Sequence, residues 1–176
     1  MSRRIYSRNS NYFSELNQES AYFLGLFAAD GTITPRGVSI NLAEPDFYLV
    51  ENFKKSIQYE GNTLLLNRRK PHHKLQLRLA ICDSKLKADL LNIFNCTTVK
   101  TYSLNFPNIE EKYYASFLRG YFDGDGSITL GKYNCEVSIT GTIMLLEKIQ
   151  NFLNDKFNFK ITKLSKDREG FSNIIK

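Results

Sequence analysis

The chain has 176 residues, 42% of them hydrophobic, which is enough for a packed core and excludes a disordered polyelectrolyte. Lys and Arg number 24 against 18 Asp and Glu, and this surplus of +6 suits a polyanionic partner without demanding one. Cys82, Cys96 and Cys135 form no Cys-x-x-Cys pair, the N-terminus is polar and basic, and no apolar run is of membrane-spanning length; a zinc ribbon, a disulfide framework and a membrane partner are therefore not expected, and a soluble protein of a reducing, intracellular compartment is.

Residues 1–19 read as an N-terminal arm or helix. Two half-domains are expected after them, residues 20–114 and residues 115–176, because the chain repeats itself. Residues 21–34 are AYFLGLFAADGTIT and residues 116–129 are SFLRGYFDGDGSIT. Laid together without gaps, they share Gly25/Gly120, Phe27/Phe122, Asp30/Asp125, Gly31/Gly126, Ile33/Ile128 and Thr34/Thr129.

In the first copy the spacing predicts a helix ending at Asp30-Gly31, with glycine at the position past the helix end where φ is often positive. A hairpin follows, broken at Pro35 and Gly37 and continued by the alternation Val38-Ser39-Ile40-Asn41-Leu42. A helix over 47–59 is expected next, capped by Asp46. Strands over 63–69 and 75–82, joined around Pro71, lead to a helix over 85–94 capped by Ser84.

The second copy has the same layout. A helix ends at Asp125-Gly126, a hairpin turns between Gly131 and Asn134, and Thr140 or Thr142 caps a helix over 143–157. Residues 160–165 and 171–176 read as its third and fourth strands, and no residues remain for a last helix. Low stability or reduced activity is expected unless another element covers that sheet face.

Ala21, Gly25 and Ala29 recur every fourth residue, as do Ser116, Gly120 and Gly124, which places each set on one helix face. Small residues at that spacing let two helix backbones approach closely. The helices would then bring Asp30 and Asp125 together at their C-terminal ends. The helix dipole disfavours an unpaired carboxylate there by roughly 0.3–1 kcal/mol. A hard divalent cation such as Mg²⁺ between the two would remove that penalty. It would also supply the activated water that phosphodiester hydrolysis requires.

FLGLFAADG (residues 23–31) and LRGYFDGDG (residues 118–126) resemble the signature of the LAGLIDADG homing endonucleases. The resemblance implies an α+β fold of two pseudo-symmetric αββαββα half-domains with saddle-shaped antiparallel sheets, the second half short of its last helix. It implies a monomer with an internal pseudo-two-fold that cuts double-stranded DNA at a specific site with Mg²⁺ or Mn²⁺. Asp30 and Asp125 would be the metal-binding acids, with the backbone carbonyls of Ala29 and Gly124 as further ligands. Asp123, where the first copy has Ala28, is read as structural. A second reading stays open: a DNA- or RNA-binding protein of the same fold, a maturase or a regulator, without nuclease activity.

By the same resemblance the sheets lie over the major groove, where β-ribbons read base edges. The candidate DNA contacts are Ser39, Asn41, Arg68, Arg69, Lys70 and Gln76 in the first half, and Lys132, Asn134 and Ser138 in the second. The family often sets a basic residue near each site, and Arg78 and Lys74 are the candidates here, with Lys163 the counterpart in the second half. His72 and His73 lack metal-ligand spacing and read as a turn or a phosphate contact.

Overall fold

The structure is a computed structural model that describes residues 6–66, 74–97, 103–132, 135–166 and 173–175. The first half runs α1 (Gln18–Asp30), β1 (Gly31–Thr34), β2 (Gly37–Ala43), α2 (Phe47–Ser56), β3 (Leu64–Leu66), β4 (Gln76–Ile81) and α3 (Ser84–Phe94). The second runs α4 (Tyr114–Asp125), β5 (Gly126–Leu130), β6 (Cys135–Gly141), α5 (Ile143–Phe157), β7 (Ser165–Lys166) and β8 (Asn173–Ile175). Each half has one four-stranded antiparallel sheet with the same order, β1-β2-β4-β3 and β5-β6-β8-β7. The α+β repeat predicted from the sequence is thus the architecture observed.

The two motif helices form the centre. Asn17 caps α1 through reciprocal bonds with Ser20, 2.9 Å to the Ser20 amide and 2.8 Å from its own amide to the Ser20 hydroxyl. Phe23, Leu24, Leu26, Phe27 and Ala28 are all buried, so α1 is covered round its whole circumference, as a core helix must be. The rest of the first half packs outward from it. Phe53 of α2, Leu86, Leu90 and Phe94 of α3, and Tyr12 and Phe13 of the N-terminal segment join one buried cluster with Val38, Ile40, Leu79 and Ile81 of the sheet.

Local signals were partly misleading. Asp46 makes no capping bond to α2, which ends at Ser56 rather than three residues later. Asp83, not Ser84, caps α3, accepting from the amides of Lys85 and Leu86 at 2.8 and 3.0 Å. Thr142, not Thr140, caps α5. The glycines after the motif helices have φ of −75° and −90°, so positive φ is not why they are glycine. A Cβ at Gly31 would stand 2.4 Å from both the Phe27 carbonyl oxygen and its ring, and one at Gly126 would meet Phe122 in the same way. The repeated Phe-x-x-x-Gly spacing is a packing device.

The halves differ in how well their sheets are covered. Ile33 and Val38 pair across β1 and β2 and are 4% and 1% exposed. Ile128 and Val137 pair in the same register across β5 and β6 and are 60% and 49% exposed. In the first half α3 packs on β2, and Ile33 and Val38 share one buried cluster with its Leu86, Leu90 and Phe94. Among the described residues the second half has no equivalent helix.

Candidate metal centre and nucleic-acid interface

The approach of α1 and α4 is fixed by glycine. A Cβ at Gly25 would lie 2.0 Å from the Phe117 carbonyl oxygen, and one at Gly120 would lie 1.9 Å from the Tyr22 carbonyl oxygen. No side chain fits in either place, because the obstacle is backbone. The outer ends are tied as well. The Tyr113 hydroxyl donates to the Leu16 carbonyl at 2.6 Å and the Gln18 amide to the Lys112 carbonyl at 3.1 Å. Across the middle, the Tyr22 hydroxyl donates to Asp123 at 2.7 Å, and Arg119 sits over the Tyr22 ring. Asp123 is thus an interface residue in this structure.

Further along, the small-residue stripe opens onto the acids. A Cβ at Gly124 would stand 2.4 Å from the Ala29 Cβ and 2.7 Å from Asp30 Oδ2. The Asp30 carboxylate therefore occupies the space that glycine leaves on the opposite helix, one residue before Asp125. Both carboxylates act on Tyr121, whose ring is buried. Its hydroxyl donates to the Thr140 carbonyl at 2.8 Å. Burial first, then the negative charges of Asp125 and Asp30, push the phenol pKa upward, so it stays a protonated donor. Sequence reasoning missed Tyr121. The signal was there in the repeat, which sets Leu26 against Tyr121 and so places one hydroxyl where its twin is apolar.

The donor set suits a hard cation. The Asp30 carboxylate lies against Gly124, one residue before Asp125, and both carboxylates act on Tyr121; carboxylate and backbone oxygens are the ligands a hard cation takes. Among the described residues no group of three or more His, Cys, Asp or Glu could hold a metal by itself, so a cation would need backbone and substrate oxygens as well.

The sheets supply the surface. On the face of the first sheet opposite its core, Asn41 pairs with Arg78 and Ala43 with Gln76; Asn41 and Gln76 are exposed and Arg78 is half-buried. Ser39 shares this face but is 4% exposed, so its hydroxyl offers nothing to a groove and it leaves the set of candidate contacts. Lys74 is exposed but precedes β4, toward the Glu44–Leu75 backbone bond and away from Asp30. That position removes Lys74 from the neighbourhood of the acids. In the second half Ser138 is half-buried and Lys132 is exposed beside the β5–β6 turn. Arg68, Arg69, Lys70, His72, His73 and Asn134 lie outside the described residues. Among the described residues no helix is long and apolar enough to cross a membrane.

Residues 112–175 match the family model of the LAGLIDADG-like domain. Among solved structures, the chain resembles I-DmoI in complex with DNA and Ca at 17% identity and a TM-score of 0.56, covering 94% of this chain and 82% of that one. An I-DmoI variant solved with its target DNA and Mn gives 14% identity and 0.55, covering 94% and 86%. The N-terminal LAGLIDADG domain of WhiA gives 17% and 0.55, covering 95% and 82%. At these identities the likeness is one of fold, and it extends over both halves.

Proposed function

We propose, from the LAGLIDADG-like domain matched over residues 112–175 and a fold like that of the LAGLIDADG structures over both halves, that this chain is a metal-dependent, site-specific endonuclease acting on double-stranded DNA. The observation that carries the reading is the seat of the Asp30 carboxylate against Gly124, the residue before Asp125, where the two motif helices end. The matching I-DmoI structures hold DNA with Ca and with Mn, which supports a divalent metal for this chain, Mg²⁺ being the ion we assign.

Asp30 and Asp125 would hold the metal, with the Ala29 and Gly124 carbonyls as further oxygens. A cation bound there supplies an activated water and charge neutralisation at the leaving oxygen. The protein's own part is positioning. Glycine packing fixes the distance between the motif helices, and Tyr121 keeps a neutral donor beside the acids. The sheet faces carrying Asn41, Gln76 and Ser138 bind the duplex, and the net charge of +6 draws it in.

The experiment is a plasmid library with randomised inserts, scored for nicked and linear product with Mg²⁺ and with EDTA. Cleavage that survives in both Asp30→Asn and Asp125→Asn would dismiss the reading. The likeness to the WhiA domain favours a second one, in which the fold binds DNA and cuts nothing. Duplex binding without product in either metal condition would select it.

A further inference from the structure

The two halves offer their acids sheets of one register and different chemistry. In the first half Gly31 pairs with Ile40, so Asn41 stands across from Asp30; Asn41 pairs with Arg78, and Arg78 with Leu64. In the second half Gly126 pairs with Ile139, so Thr140 stands across from Asp125; Thr140 pairs with Ile174, and Ile174 with Ser165. Arg78 and Ile174 hold the same register position. One row crosses a guanidinium two strands from its acid, a span of about 10 Å at ordinary strand spacing. The other has an aliphatic residue there.

The Arg78 side chain is half-buried, and its Nε is buried without a hydrogen-bond partner. A buried, unpaired donor on a cation is costly. A phosphate oxygen met by the outer N–H groups of the guanidinium answers the charge, and the guanidinium fork matches phosphate geometry. In the second half Lys163 precedes the outermost strand, and Lys166 pairs with Asn173, one step out of the row.

We propose that Arg78 clamps a backbone phosphate of one DNA strand only, so that the protein engages and cuts the strand over its first half ahead of the other. The order of cutting rests on the nuclease reading; the clamp does not. The clamp is tested by binding without metal. A duplex selected by binding in EDTA from a randomised pool is remade with one methylphosphonate, which removes one phosphate charge, placed in turn at each central step of each strand. Affinity is measured in EDTA by gel shift.

At one step of one strand the neutral linkage should weaken binding roughly ten-fold or more, as loss of a charge-assisted hydrogen bond does. The matching step of the other strand should change it by less than about two-fold. Arg78→Leu should erase the difference, and Ile174→Arg should create the same dependence on the second strand. Equal losses on both strands, or a difference that survives Arg78→Leu, overturn the clamp. End-labelled duplex with Mg²⁺ then reads the order of cutting. Equal rates on the two strands overturn the strand preference, whereas binding with the predicted asymmetry and no cleavage sinks the nuclease reading and leaves the clamp standing.

Discussion

Asp30 Oδ2 lies 2.7 Å from the point where residue 124 would carry its Cβ, so the carboxylate of one motif sits in the space vacated by the glycine of the other. Three glycines hold the motif helices together, but they do different work. At Gly25 and Gly120 the obstacle to a side chain is backbone; at Gly124 it is the Ala29 methyl and the Asp30 carboxylate.

Gly25→Ala or Gly120→Ala should therefore force the helices apart, with a stability loss of about 3 kcal/mol or more. Gly124→Ala should cost less, about 1–2 kcal/mol, because side chains can yield. It should nonetheless displace Asp30 and weaken metal binding. Denaturant melts combined with Mn²⁺ titration separate the cases. Equal stability losses at all three positions would show that Gly124 is only another packing glycine.

The acids should be a source of stability when a divalent cation binds them, and the double variant Asp30→Asn, Asp125→Asn should lose that response. Saturating Mg²⁺ should raise only the wild type, by about 2.7 kcal/mol at a hundred times its Kd. A wild type whose melting ignores Mg²⁺, Mn²⁺ and Ca²⁺ alike would refute the assigned metal pair.

The centre of this fold was legible because it is written twice. Glycine every fourth residue, an acid before the helix end and a hairpin after it recur in both copies, and each feature has one physical reading. What failed was chemistry decided by neighbours distant in sequence. Asp46 is a good capping residue locally yet makes no side-chain bond to α2, and Ser84 yields the cap of α3 to Asp83, whose carboxylate Arg8 and Ser10 hold from the other side of the chain. Ser39 alternates correctly with the core residues but is buried on the outer face. That Arg78 matches Ile174 became visible only when the strand registers aligned the halves.

Asp83 should govern acid stability of the first half. Its carboxylate accepts from Arg8 Nε and Ser10 Oγ, both at 2.6 Å, and from two α3 amides. Burial alone would raise its pKa, but the hydrogen bonds from Ser10, the Leu86 amide and Arg8 outweigh it and hold the carboxyl below the usual carboxylate range. A depressed carboxylate contributes stability that is complete above its unfolded pKa and lost as pH falls through the folded one. Asp83→Ala should cost about 2–4 kcal/mol at neutral pH, from the lost cap and the stranded Arg8. It should also flatten the dependence of stability on pH below about 4. A variant as acid-sensitive as wild type would assign the acid transition to other groups.

Ile33 and Ile128 make the last comparison, since repeat position, strand register and residue type are identical and only coverage differs. Ile33→Thr buries a hydroxyl and loses packing under α3, at an expected cost of about 2–4 kcal/mol. Ile128→Thr should stay within about 0.5 kcal/mol of wild type, as surface changes do. It should also lower the binding of a hydrophobic dye, because Ile128, Leu130 and Val137 form one exposed apolar patch. Thermal melts and dye fluorescence of the two variants test this. If Ile128→Thr proved as costly as Ile33→Thr, something in solution would be covering the second sheet, and the inequality of the two halves would belong to the isolated chain alone.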